Sequence, residues 1–389
     1  MDFDIVIVGG GLAGASLAAA LADSGKSLAL IERRAPPAPP ARWDSRVYTL
    51  TPASIAFLEQ LGAWQGVARE RVTPIHEMQV FGDRAGSRLD FSAYASGMLD
   101  LGATVESGRL HSALWQVLGR QRNLSLLCPN APSSLRRLER HVEIALDGGA
   151  AIKAKLAVGA DGADSWVRQA AGMDARTESY EQLGLVANFS CARAHRGIAY
   201  QWFLPDGVLA FLPLPEQHIS IVWSTAQARA RELLRLPPET LCRQVSEASR
   251  GMLGELRQIT PPVAFPLSRT TVRRIARERV ALIGDSAHVV HPLAGQGINL
   301  GLGDAHGLAD LLAGAADPGD RMLLRRFERS RAEDILALRW VTHGLFRLFG
   351  ANHAAIRSIR NLGLNLTNSN PVIKTLLARR ATGVGGGLR

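Results

Sequence analysis

Residues 5 to 32 constrain what this chain can fold into more tightly than any other stretch. Ile5-Val6-Ile7-Val8 is an unbroken apolar, β-branched run, the pattern of a strand buried in a parallel sheet. Gly9-Gly10-Gly11-Leu12-Ala13-Gly14 follows at once and fits G-x-G-x-x-G. Leu12 to Ser24, rich in Ala and Leu, predicts a helix that stops at Gly25. Leu28-Ala29-Leu30-Ile31 then reads as a second strand, and it ends in Glu32.

Each part has a physical task. Gly9 permits a tight turn, and Gly11 has no side chain to keep a pyrophosphate from the backbone. Gly14, with Ala13, Ala15 and Ser16, lets the helix approach the strand. The helix N-terminus offers unpaired N–H groups and the positive end of its dipole. Glu32 stands 18 residues past Gly14, where the fingerprint places an acid on ribose hydroxyls. Leu12 and Ala13 in the turn and Arg33 beside the acid complete the expected contact set. A glycine-rich loop alone is often only a turn; strand, glycines, helix, second strand and acid together point to a dinucleotide. They do not separate FAD from NAD.

The remainder narrows the class. The chain has 389 residues, 47% hydrophobic and 21% charged, an ordinary globular composition with a sizeable core. Asp2 and Asp4 replace the basic region of a secretory signal, and no apolar run reaches the ~18 residues that span a bilayer. A cytoplasmic protein is expected. Cys128, Cys191 and Cys242 are odd in number and far apart, so neither a disulfide framework nor a dithiol centre is indicated.

Ala35 to Pro40 reads as a loop, and Pro52 to Gly62 as a helix. Arg46, between them, is either a surface residue or one that reaches back to cofactor phosphates. Strand patterns run from Ile75 to Phe91, Leu124 to Cys128 and Val142 to Leu146, with a helix over Leu110 to Leu118. Leu156 to Gly162 is a further buried strand that ends in Asp161-Gly162, with Ser165 and Arg168 on the helix beyond. Carboxyl ends of such strands are where α/β sheets bind ligands. Residues 184–224 read as antiparallel strands with Tyr200, Trp202, Phe203, Phe211 and Trp223. These aromatics form a plain sheet core, one wall of an apolar substrate pocket, or both. Gln227 to Met252 is helical, broken at Pro237-Pro238.

A third anchor runs from Arg279 to Leu312. Val280-Ala281-Leu282-Ile283 is a buried strand that ends in Gly284-Asp285, and Gly295-Gln296-Gly297-Ile298-Asn299 opens a helix toward Leu312. Asp285 can accept hydrogen bonds from a sugar or ribityl hydroxyl, and the helix start would point its dipole at a ligand. His288 and His291 lie three apart in a loop without a completing Cys or carboxylate cluster, so no metal is expected.

These three separated motifs resemble the FAD-dependent aromatic hydroxylases of the para-hydroxybenzoate hydroxylase type. The ubiquinone-biosynthesis hydroxylases look closest, through Ser45-Arg46-Val47, Leu61 to Trp64, Val105-Glu106 through Trp115, and Gly284 through Gly301. The resemblance covers about residues 3–345. It implies an α/β fold: a Rossmann-like FAD domain (1–74, 93–183, 273–320) interleaved with a substrate domain on an antiparallel sheet (75–92, 184–272), plus C-terminal helices (321–389). It implies one FAD, its ADP half on residues 9–14 and Glu32. Asp285 would serve the ribityl or pyrophosphate region, and Pro292, Gly295, Gly297, Ile298 and Asn299 the isoalloxazine. Asp161 and Arg168 match a motif shared between FAD and visiting NAD(P)H. Ser107-Gly108 departs from relatives that carry Asn there. The implied reaction is NAD(P)H- and O2-driven hydroxylation of a polyprenylated phenol through a flavin C4a-hydroperoxide; no catalytic base stands out. Hydroxylation of a soluble aromatic, FAD-dependent reduction of isoprenoid double bonds, and a non-enzymatic FAD subunit of a biosynthetic assembly are the alternatives. The Trp-x-Trp-x-Ile-Pro motif of flavin halogenases is absent.

Residues 321–389 carry 13 basic and 3 acidic residues, a net +10 that equals the charge of the whole chain. No nucleic-acid motif accompanies it. Apolar stripes through Leu323 to Phe349 and Val372 to Leu377, mixed with Arg339, Arg347, Lys374, Arg379 and Arg380, fit helices packed on the FAD domain. They equally fit reversible docking on an anionic inner-membrane surface, where a polyprenyl phenol resides.

Overall fold

The computed structural model describes residues 2–36, 38, 39, 41–84, 86–291, 295–350 and 364–382. Its centre is a parallel sheet in the spatial order Val280–Leu282, Ala151–Gly159, Asp2–Val8, Leu28–Ile31, Leu124–Leu127. Ile5, Val6 and Ile7 are fully buried, as the unbroken apolar run requires, and pair in register with Leu156, Ala157 and Val158 on one side and Leu28, Ala29 and Leu30 on the other. The hairpin of Pro132–Arg137 and Val142–Leu146 extends the strand Ala151–Gly159 antiparallel.

The helix Leu12–Ala20 is apolar all round and correspondingly buried. It packs between the helices Ser107–Leu118 and Gly297–Ala313. Small residues make the latter crossing possible. A Cβ on Gly301 would stand 3.2 Å from Gly284 Cα and 3.7 Å from Ala13 Cβ, so one helix, the other helix and the third-motif loop meet there with almost no side chain between them.

The second layer is a nine-stranded sheet containing Ala175–Cys191, Ile198–Leu204, Gly207–Leu214, His218–Ala226 and Val263–Val272. The strand Ala175–Cys191 is 17 residues long and runs through residue 183, where the sequence suggested a domain boundary; from Ala175 to Val186 it pairs with Val263–Val272. Likewise His288–Val289, expected within the FAD domain, pairs with this sheet through Thr270 and Thr271. A three-stranded sheet, Val47–Leu50, Gly102–Glu106 and Thr73–Ile75, bridges the two layers.

The five aromatics of residues 184–224 occupy cores. None exceeds 7% exposure, and Trp202 stacks on Phe81 and Tyr200 and meets Phe211 edge-on. The period-2 pattern placed them on strands; helix packing with Leu241 and Val245 buries Tyr200, Trp202, Phe211 and Trp223, while Phe203 packs with Val80 and Leu89.

The edge strand Arg88–Ser92 is covered rather than exposed. Asn365 and Asn368 accept its free N–H groups, from Arg88 at 3.1 Å and Asp90 at 3.0 Å. The helix Pro371–Ala381 continues from there onto Tyr94–Ser96. Among the described residues no helix is long and apolar enough to cross a membrane.

Candidate functional site

The site lies at the carboxyl ends of the parallel strands, where all three motifs converge. Gly9 turns with φ +105°, and a Cβ there would stand 2.4 Å from Ala160 O. A Cβ on Gly14 would fall 2.0 Å from Gly9 O. Gly11 differs: a Cβ added to it meets nothing within 4 Å. Gly11 is the N-cap of the helix Leu12–Ala20 and contributes no side-chain cap. An open, side-chain-free space against the positive end of a helix is the cradle a diphosphate needs.

Glu32 accepts hydrogen bonds from Gly10 N at 2.7 Å and Arg34 N at 3.0 Å, which holds its carboxylate beside the turn. Arg33 is exposed next to it. Two residues that sequence reasoning did not select fix the turn from the other side. Trp115 Nε1 donates to Gly10 O at 2.8 Å, and His111 Nε2 pairs with the same oxygen at 2.7 Å. Their spacing of four on an amphipathic helix was the available signal.

The second motif stands beside Gly9. Asp161 accepts from Ser165 Oγ at 2.5 Å and Val167 N at 3.0 Å, and Ser165 caps the following helix. Arg168 is buried; its guanidinium donates to Ala163 O at 2.7 Å and Ser286 O at 2.9 Å. It therefore ties the second motif to the third. Asp285 itself is open to solvent at the tip of the turn Gly284–Ser286. Surrounding protein raises its pKa above the ordinary carboxylate value, while His288 and Arg46 pull it down. The same interaction places Arg46 on the Asp285 side of the crevice, its guanidinium 5.5 Å from the Tyr48 ring centroid.

Beneath the third motif lies a network the sequence did not disclose. Asp304 is completely buried and accepts from Gly284 N at 2.9 Å, His288 Nε2 at 2.6 Å and Arg331 Nε at 2.8 Å. Burial alone would raise its pKa, but His288 and Arg331 outweigh burial and hold it below the ordinary value. His291 is buried against Tyr180, and burial lowers its pKa to about 4, so it is neutral at pH 7. Asn299 locks the start of the helix Gly297–Ala313 to the bridging sheet, donating to Thr49 O at 2.9 Å and accepting from Thr51 N at 2.9 Å. Gly295 takes φ +59°, and Ile298 packs on the main core. Pro292 lies outside the described residues.

A buried carboxylate, Glu106, organises the floor of the loop that carries Arg46. Arg71 donates to it twice at 2.8 Å and Arg109 once at 2.8 Å, and Arg71 stacks 3.7 Å over Trp43. Asp44 N donates to Glu106 at 2.7 Å, and Ser107 N to Arg46 O at 2.9 Å, which fixes the backbone on either side of Ser45.

Comparison with known proteins agrees with this geometry. Residues 2–338 match the model of the FAD binding domain. Ubiquinone hydroxylase UbiL of Rhodospirillum rubrum is 36% identical over 385 residues, covering 98% of this chain and 89% of the relative. The 3-demethoxyubiquinol 3-hydroxylase of Escherichia coli is 34% identical, covering 98% of both chains. In fold, the chain superposes on p-nitrophenol 4-monooxygenase of Pseudomonas putida with a TM-score of 0.79 at 17% identity, over 100% of this chain and 99% of that one. With glycines that leave a diphosphate cradle, an acid beside it and near-full-length kinship to two hydroxylases, the chain belongs to the FAD-binding-domain family, among its flavin-dependent monooxygenases.

Proposed function

We propose that this protein hydroxylates the aromatic ring of a polyprenylated phenol on the route to ubiquinone, with NAD(P)H and O2 as co-substrates. The observation that carries the reading is the convergence of three distant motifs on one crevice in a chain matched end to end by hydroxylases of ubiquinone intermediates. Bound FAD supplies the activation of dioxygen and the transfer of one oxygen atom to an electron-rich ring. The chain's residues supply the rest. Gly9, Gly11 and Gly14 with the adjoining helix start would hold the diphosphate, Glu32 the ribose, and Asp285 the sugar-alcohol chain. Arg46 would face the cofactor from the opposite loop. The start of the helix Gly297–Ala313 would place positive dipole near the flavin pyrimidine, where negative charge develops. Asn299, Asp304 and Arg168 act through other residues by holding these loops in place.

The substrate class suggests approach to a bilayer, and one surface suits it. Tyr94 and Leu99 are each 94% exposed, beside the helix Pro371–Ala381 whose outward face carries Val372, Ile373, Leu376 and Leu377. Lys374 and Arg379 flank them. The inward face, with Ala378 and Thr382, packs on the protein, so this helix serves packing and docking together. Each basic residue near an anionic leaflet contributes on the order of 1 kcal/mol, screened by salt.

The test is oxygen uptake coupled to NAD(P)H oxidation by FAD-loaded protein. Uptake should rise with a polyprenyl phenol and yield the ring-hydroxylated product. A product saturated in its prenyl chain would favour a reductase, and no uptake a non-enzymatic subunit.

A further inference from the structure

At the start of the strand Val280–Leu282, the end opposite the one that leads into Gly284 and Asp285, a cavity of about 250 Å³ opens where three elements meet. These are the strand Pro132–Arg137, the edge strand Ala276–Arg277, and the first turns of the helix Arg321–Gly350. Arg137, Arg274, Arg277, Arg321 and Arg325 line it against a single carboxylate, Glu278. Arg277 pairs with Val280, the first residue of the strand whose other end carries Gly284 and Asp285. The cavity is therefore separated from the crevice by the length of that strand.

Its charges are poorly compensated from within. Arg274 leans on Glu328 at 3.6 Å, and Arg277 reaches Ala171 O at 3.5 Å. Among the described residues, Arg137, Arg321 and Arg325 form no ion pair. Elsewhere the same chain pairs its arginines closely: Arg279 with Asp317, Arg331 with Asp304 and Asp334, Arg71 and Arg109 with Glu106. The helix position adds a second penalty. Arg321 and Arg325 are four apart on one face, so they repel each other, and Arg321 lies in the first turn, at the positive end of a helix dipole met by the Asp320 cap alone. Surface arginines that serve only solubility have no reason to collect there. An anion in the cavity relieves all of these repulsions at once.

We propose that this cavity is a phosphate-binding site, one that takes a phosphate or diphosphate group through Arg321, Arg325 and Arg137. Arginine suits this chemistry because its planar fork meets two phosphate oxygens together. The volume falls below the ~300–1,000 Å³ of sites that engulf whole small molecules. The group that enters is thus a free phosphate species or the phosphate of a lipid headgroup, with the remainder of any larger ligand outside. The inference goes beyond the proposed hydroxylation and is independent of it.

The experiment uses the full-length, FAD-loaded protein. Inorganic diphosphate is titrated calorimetrically at constant ionic strength set by chloride, into wild type, Arg321→Ala/Arg325→Ala, Arg321→Lys/Arg325→Lys, and the remote control Arg193→Ala. Wild type and the control should show one saturable site per chain. The double alanine variant should bind at least tenfold more weakly, and the double lysine variant should fall between. Thermal melts without diphosphate guard against misfolding: relief of repulsion should leave the alanine variant at least as stable as wild type. A second arm uses vesicles of phosphatidylcholine with and without phosphatidylglycerol. Binding to the anionic vesicles that is lost in the alanine variant and competed by diphosphate assigns the headgroup as the source. Vesicle binding unchanged by the variant, alongside the calorimetric difference, assigns free phosphate. Non-saturable heats, or equal diphosphate affinity in wild type and the alanine variant, would overturn the site.

Discussion

Gly11 and Gly14 differ by three positions in one fingerprint, yet a methyl group should act oppositely at each. Gly11 has φ −65° and ψ −177°, ordinary extended backbone for any residue, and its added Cβ meets nothing within 4 Å. Gly11→Ala shrinks the unfolded ensemble, a gain of about 0.4–1 kcal/mol, and weakens the N-cap by a similar amount. Stability of the FAD-free protein should therefore stay within about 0.5 kcal/mol of wild type. The methyl instead fills the space proposed for the diphosphate. Loss of one charge-assisted hydrogen bond costs about 1.5–3 kcal/mol, so FAD affinity should fall about 10- to 100-fold. At Gly14 the Cβ would lie 2.0 Å from Gly9 O, inside any permitted contact. Gly14→Ala gains up to about 1 kcal/mol of helix propensity but must push helix from turn, a net loss of about 1–3 kcal/mol even without cofactor. Urea melts of FAD-free protein and fluorescence titration with FAD separate the two effects. If Gly11→Ala binds FAD like wild type, or melts as early as Gly14→Ala, the cradle assignment fails.

Three further outcomes follow from buried and exposed groups. Arg331→Met leaves the buried Asp304 with Gly284 N and His288 but without its arginine, and should cost about 3–5 kcal/mol in urea melts. Asp334→Asn, at the 58%-exposed end of the same arginine, should cost under about 1 kcal/mol. His291 titrates near 6.5 unfolded and about 4 folded, so the unfolded chain binds the extra proton between these values. Its contribution is complete above pH 6.5 and declines by about 3 kcal/mol as pH falls to 4; His291→Gln should flatten that window, and an unaltered slope would place the acid sensitivity elsewhere. Val372→Asp/Leu376→Asp should abolish sedimentation with anionic vesicles at low salt while leaving FAD content unchanged; sedimentation equal to wild type would remove the apolar patch from the docking surface.

Much of the fold was legible because it is written locally. The run Ile5 to Val8, the glycine turn and the Ala-rich helix each follow from adjacent residues, and the motifs at Asp161 and Gly284 announced further strand ends. The ties between them were not legible. Asp304 reaches Gly284 across 20 residues and Arg331 reaches Asp304 across 27, while Asn299 reaches Thr51 across 248. No periodicity records such pairings; tertiary packing alone decides them. Arg168 belongs with these ties: its guanidinium donates to the carbonyls of Ala163 and, across 118 residues, Ser286. The aromatic strands were placed correctly, but which face a covering helix would bury could not be read from alternation. The C-terminal helix was visible as an apolar stripe, whereas its seat on the edge strand depends on Asn365 and Asn368, two polar residues without a periodic signal.

In the proposed reaction one atom of dioxygen enters an aromatic ring on this protein. It is tested most directly with 18O2, using FAD-loaded enzyme, NAD(P)H and a polyprenyl phenol, and mass spectrometry of the product. The expected product gains one 18O in the ring hydroxyl, absent when the label is supplied as water. Label entering only from water, or a product with a reduced prenyl chain and no new oxygen, would contradict it.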